Sequence, residues 1–338
     1  MRCNKFAWEK DMKRSIGGAL AASALLPGTF VLGTLFQSAH AACGASFCMV
    51  NTSWDVQGAW TEPGMRFDLR FEYINQDQPM SGSKKVGVGE IPQHHDEVRT
   101  INRNWLATFD YTFNDKWGVA ATLPVIDRDH THIHNHQGQQ LTDNWNFTEV
   151  GDARVIGRRH WSSENREALR VDSYGVTFGL KLPTGQTDVR NADGDLAERS
   201  LQPGSGTTDL LLGAYFSRQL GSGSSWFTNV QVQQPLNSHD NFEPGLRAGF
   251  DVGYSYRASD KLTLMIQLNA LYKDRDEGSE AEPEDSGGKF LFASPGLSYV
   301  IARNLQVYGF VQLPLYQYVN GVQLTADWAA VVGISSRF

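Results

Sequence analysis

Residues 65–73 alternate without a break. Met65, Phe67, Leu69, Phe71 and Tyr73 are apolar, and Arg66, Asp68, Arg70 and Glu72 between them are charged. In an extended strand successive side chains point to opposite faces, so one face is wholly apolar and the other wholly ionic. Wound as a helix, the same residues would scatter charge around the whole cylinder. The segment is predicted to be a strand whose two sides meet very different surroundings.

The pattern recurs along the chain. Leu246, Ala248, Phe250, Val252, Tyr254 and Tyr256 share a face opposite Arg247 and Asp251. Leu262, Leu264, Ile266, Leu268, Ala270 and Tyr272 lie opposite Gln267, Asn269 and Lys273. The C-terminal stretch repeats it with Leu324, Ala326, Trp328, Ala330, Val332, Ile334 and Phe338. Weaker versions cover 99–111, 117–125, 151–161, 171–182, 208–220, 226–235, 290–301 and 305–313. About twelve strands result, an even number as in single-chain bacterial barrels.

A soluble sandwich also alternates, with its apolar face turned inward. Three features favour the opposite arrangement. The runs are long, nearer a tilted membrane-crossing strand than the 5–6 residues usual in soluble sheets. Tight links at 114–116, 221–225, 258–261 and 302–304 alternate with longer loops at 75–97, 126–148, 183–206, 236–244 and 274–288. Short periplasmic turns and long outer loops are how membrane barrels are built. Aromatic residues also gather at strand ends, among them Trp105, Tyr111, Trp117, Trp161, Trp226 and Trp328. Those positions suit interfacial girdles. The terminal Phe338 closes an apolar alternation and resembles the C-terminal signature of outer-membrane barrels. The expected fold is all-β, a transmembrane antiparallel up-and-down barrel. Mean hydropathy of −0.38 with 20% charged residues argues against membrane helices.

The first 41 residues read as a secretory signal. Arg2, Lys5, Lys10, Lys13 and Arg14 precede an apolar stretch, 16–36, and Ala39-His40-Ala41 supplies a small-residue cleavage site. The expected layout is a signal peptide at 1–41, a periplasmic segment at 42–64 and the barrel at 65–338, in the bacterial outer membrane. Cleavage moves the formal charge from −7 to about −10, which disfavours nucleic acid as a partner. The expected partners are outer-membrane lipid and lipopolysaccharide, a small solute, and the barrel-assembly machinery during biogenesis. Cys43 and Cys48 read as a local disulfide in an oxidising compartment. Lipidation of Cys43, metal binding and redox exchange are the other readings.

Charges facing lipid would cost about 2–4 kcal/mol each at mid-membrane, so the ionic faces are expected to line the lumen. The lumen residues expected are Arg66, Asp68, Arg70, Glu72, Arg154, Arg158, Arg247, Asp251 and Asn269, with Asn102, Asn104, Lys181, Asn229, Gln231, Gln233, Gln267, Asp327 and Arg337 beside them. Arg66, Arg70, Arg154 and Arg247 among neutral amides suit guidance of an anion. The competing reading is a plugged barrel whose charges pair with one another.

His130, His132, His134 and His136 occupy alternate positions in the loop expected after Val125, and His94 and His95 sit in the preceding one. In extended backbone the four imidazoles project to one side, and imidazole ligates zinc, copper or nickel. No cofactor is expected beyond a divalent metal there. The acidic loop from Asp274 to Asp285 reads as a solvated face. An adhesive or structural barrel with metal-binding loops is the alternative function. A lipid hydrolase using His160 with Ser162 or Ser173 is a further one, without a nucleophile elbow to support it; no enzyme is expected.

Gly179-Leu180-Lys181-Leu182-Pro183-Thr184-Gly185, Gln202-Pro203-Gly204-Ser205-Gly206, Asp209 and Gly151-Asp152-Ala153-Arg154 resemble the outer-membrane channel family known as the MetA-pathway of phenol degradation. The resemblance implies a signal peptide, a barrel and passage of small molecules, and it brings no catalytic residues.

Overall fold

The computed structural model describes residues 49–338 apart from 55, 58–61, 92–95, 137–138, 166–169 and 222. The signal segment, Cys43, Cys48, His94 and His95 lie outside the described residues.

The strands are β1 (Gly64–Gly82), β2 (Lys84–Lys85), β3 (Asp96–Asn114), β4 (Trp117–His136), β5 (Gln139–Val150), β6 (Arg154–Asn165) and β7 (Arg170–Lys181). They continue with β8 (Asp209–Leu220), β9 (Ser224–Pro235), β10 (Arg247–Arg257), β11 (Leu262–Lys273), β12 (Gly288–Ala302) and β13 (Leu305–Arg337). All pairings are antiparallel, and β13 pairs with β1 to close the sheet. Eleven runs form the closed ring; β2 pairs only with β1, and β5 only with the far half of β4.

The last run doubles back. Residues 305–319 pair with β12, while 319–337 pair with β1. The reversal is at Asn320-Gly321, where Gly321 adopts a φ of +56° that a side chain would strain. The two arms meet again at the other end, where Arg337 N donates to Asn304 O (2.9 Å). The chain therefore crosses the wall twelve times, the number expected from the alternation.

The alternation sorts as a membrane barrel requires. Phe109 is 60% exposed and Phe250 50%, both on the outside, whereas Arg66 and Asp251 are buried within. Exposed large apolar side chains with buried charges are the reverse of a soluble core. The tight turns at 115–116, 258–261 and 303–304 share one rim with both ends of the barrel, where Phe338 N donates to Met65 O (2.9 Å). By the usual rule that rim is periplasmic.

Three expectations are corrected. The predicted loop at 126–148 is an extension of β4 paired along its length with β5, and much of the predicted loop at 75–97 is strand as well. Beyond the apolar belt both faces can be polar, so the ladder continues while the hydropathy signal disappears. The C-terminal apolar face is also interrupted. Ile74 pairs with Ala329 but Gln76 with Ala326, so a bulge turns Leu324 inward to burial and leaves Trp328 outside. Asp327, expected in the lumen, instead meets Lys85 on the exposed surface (2.6 Å).

Candidate functional site

The barrel is not empty. Residues 49–54, 56 and 57, expected within a periplasmic segment, lie against the inner wall. Asn51 N donates to Gln267 Oε1 (2.9 Å), Gln267 Nε2 returns a bond to Asn51 O (2.8 Å), and Met49 N donates to Gln312 Oε1 (2.9 Å). Towards the periplasmic rim, Trp54 Nε1 donates to Ser335 Oγ (2.9 Å). Trp54 also packs edge-on against Tyr308 at 5.3 Å between centroids. Val50 buries among Met265, Tyr308, Phe310 and Val331, and Val56 against Tyr215 and Phe227. These apolar wall residues are covered by the strap.

Most lumen charges are matched. Near the periplasmic rim Asp110 accepts from Arg66 Nη1 (2.9 Å) and from both terminal nitrogens of Arg158. Asp68 accepts from the Tyr308 hydroxyl (3.0 Å) and from Ser335. Higher up, Arg70 pairs with Glu72 (3.0 Å) and donates to Thr52 of the strap (2.7 Å). Asp251 is held by the amides of Asn269 (2.8 Å), Asn229 (3.1 Å) and Asn51 (3.3 Å). Three amide N–H groups, one of them from the strap, thus converge on the Asp251 carboxylate.

Nearer the outer end, the ladder sets bases side by side: Arg154 opposite Lys181, and Arg247 opposite Lys273. Lys181 is tied to Asp152 (2.9 Å) and Asp209 (3.2 Å), and Lys273 to Asp276 (2.7 Å). Among the described residues, Arg154 has only the Gln233 carbonyl oxygen, at 3.5 Å, as a side-chain acceptor.

Beside this band a recess opens between β1, β12 and the two arms of β13, with about 540 Å³ of empty space, open solvent included. Phe290 and Phe292 form one wall, their rings nearly parallel (4°) at 6.2 Å. Gln76, Gln312, Gln317, Gln323 and Lys273 supply its polar side. Where the β13 arms bulge, Gln76 Nε2 donates to Leu324 O (3.1 Å) and Gln317 Nε2 to Ala326 O (2.9 Å). These side-chain amides take up backbone acceptors that the interrupted ladder leaves free.

The histidines divide. His130 is fully buried, with Nδ1 2.8 Å from Thr100 Oγ1, and His132 Nε2 lies 3.6 Å from Asp143. Both rings pack on Trp145, at 5.8 and 4.8 Å between centroids. The side chains of His134 and His136 lie outside the described residues. Among the described residues, no three His, Cys, Asp or Glu side chains are grouped to hold a metal ion. In the acidic loop, Asp276 and Asp285 are buried rather than solvated. Asp276 accepts from Gly245 N (2.7 Å) and Asp285 from Val322 N (2.8 Å), so two of its acids staple the loop to the wall. His160, raised as part of a hydrolytic pair, faces inward with Nδ1 2.9 Å from the Tyr215 hydroxyl.

The segments that carry the family resemblance converge into one knot. Asp152 accepts from Gly185 N (3.1 Å), Ser205 N (2.9 Å) and Lys181, and Thr207 Oγ1 donates to Asp209 (2.7 Å). Arg199 fastens the same loop by donating to Thr187 O (3.0 Å) and Ser205 O (3.2 Å). Burial holds its guanidinium below the ordinary arginine range, against the attraction of Asp240 and Glu280. Gly185 and Gly204 touch backbone to backbone: a Cβ on Gly185 would lie 2.7 Å from Gly204 Cα. Gly185→Ala should therefore cost about 1–3 kcal/mol and expose residues 183–206 to limited proteolysis. Unchanged protease resistance would show that the contact is not needed.

Sequence reasoning missed Asp110, Tyr308 and the strap. Asp110 shares its parity with the inward Thr108 and Thr112, so extending the polar face of 99–111 would have found it. Nothing local marks Asn51 or Trp54.

No family model and no curated protein matches the chain. Among solved structures it is similar to the COG4313 outer membrane channel from Pseudomonas putida F1, at 12% identity and TM-score 0.64, over 86% of this chain and 100% of that one. The TodX deltaS2S3 mutant monoaromatic hydrocarbon channel aligns at 11% identity and TM-score 0.48, over 88% and 96% of the two chains. The KdgM porin aligns at 11% identity and TM-score 0.42, over 81% and 99%. At such identities the likeness is one of fold.

Proposed function

We propose that this barrel is an outer-membrane channel for a small amphipathic solute with an anionic end. The observation that carries the reading is the recess, where parallel Phe290 and Phe292 rings share a lining with glutamine amides and with Lys273, the ladder neighbour of Arg247 in the basic band. The parallel ring faces offer an apolar group a flat surface, while the basic band attracts the charged end. Orientation by a few polar groups around an apolar wall is what small-molecule sites commonly use. The mixed lumen then provides a path on which no single contact is strong enough to trap the solute.

Liposomes carrying the refolded protein should admit benzoate about threefold faster than benzylammonium of the same size. Replacing Arg154 and Arg247 together by Gln should abolish that preference. Equal rates for the two solutes with the wild-type protein would sink the reading.

A further inference from the structure

We propose that Arg159, on the outside of the wall, binds the phosphate of a phospholipid in the periplasmic leaflet. Parity on β6 puts Arg158 and His160 inside and Arg159 outside. The ladder sets Arg159 directly opposite Trp117 on β4, and Trp161 opposite Tyr174 on β7. The Arg159 guanidinium carbon lies 4.6 Å from the Trp117 ring centroid and 5.3 Å from that of Trp161. Trp161 in turn stacks on Tyr174 at 5.8 Å. All three rings are exposed, next to the short turn at 115–116 that marks the periplasmic rim.

Two aromatic rings hold the guanidinium at the depth where lipid headgroups sit. Among the described residues, it has neither a carboxylate within ion-pair distance nor a hydrogen-bond acceptor. A pre-oriented fork of N–H donors at an interface matches the two anionic oxygens of a phosphodiester. Arg218 supplies the contrast. It occupies a similar outward position on β8 against Phe216 and Trp226, but its Nε and Nη2 already donate to the Asp172 carboxylate at 2.7 and 3.0 Å.

The proposal depends on the barrel and its orientation, not on what the lumen carries. The test is native mass spectrometry of the mature protein titrated with dioleoylphosphatidylglycerol. Arg159→Gln should weaken the tightest lipid-binding event at least about fivefold, and Arg159→Lys less, because the charge stays and the fork is lost. Arg218→Gln should leave it unchanged. Dioleoylglycerol, which has the same chains and no phosphate, should not bind in that event. Folding of each variant is checked by heat-modifiable gel mobility, and Arg159→Lys carries the test should Arg159→Gln fail to assemble. Equal affinity in wild type and the Arg159 variants would overturn the proposal. So would binding of dioleoylglycerol, or an Arg159-dependent event selective for lipid A, which belongs to the other leaflet.

Discussion

Deleting residues 49–57 should raise the single-channel conductance of the reconstituted barrel at least about fivefold, since ion flow follows the narrowest cross-section. The strap occupies the interior at several heights, from Gln312 and Gln267 down to Ser335. Its removal frees that cross-section and returns Gln267, Arg70 and Ser335 to water. The deletion also uncovers Tyr308, Phe310 and Phe227, so a milder variant is needed beside it. Asn51→Ala with Trp54→Ala keeps the chain length while removing side-chain bonds to Asp251 and Ser335. It should raise conductance by a smaller factor and increase current noise. Planar-bilayer recording of both variants checks this. Conductance identical to wild type would mean that ions already pass beside the strap.

Asp110→Asn should lower stability by about 3–5 kcal/mol, the usual result of stripping one partner from a buried charge cluster. Asp110 is the carboxylate shared by Arg66 and Arg158, both buried at the periplasmic end of the lumen. An asparagine of the same shape removes the anion that both guanidinium groups meet. Urea unfolding in lipid vesicles, followed by tryptophan fluorescence, measures the loss. Asp110→Leu combined with Arg66→Met and Arg158→Met removes the acceptor and both its donors together and should cost less than Asp110→Asn alone. A loss under about 1 kcal/mol for Asp110→Asn would show that lumen water solvates the pair as well as the carboxylate does.

Parity alone defines an inward and an outward face for each strand, and Arg66, Glu72, Arg158, Asp251 and Asn269 are buried. What parity does not carry is partnership. Arg66 and Arg158 look like free bases in sequence, and only strand adjacency shows that one aspartate 44 residues from the first and 48 from the second joins them. The histidine run shows the same limit from another side. Its alternation was read as a loop, and the ladder with β5 makes it a strand, with His130 and His132 packed on Trp145.

By itself the sequence determined a twelve-crossing wall and, away from the bulge in the last run, the apolar and polar sides of its strongest strands, because both follow from a two-residue period that is local in the chain. The tertiary structure alone decided how far the outer strands extend, where bulges reopen the ladder into a recess, and that the chain's own residues 49–54 lie inside. Those depend on contacts between segments up to 281 positions apart, as between Trp54 and Ser335, and no local pattern encodes them.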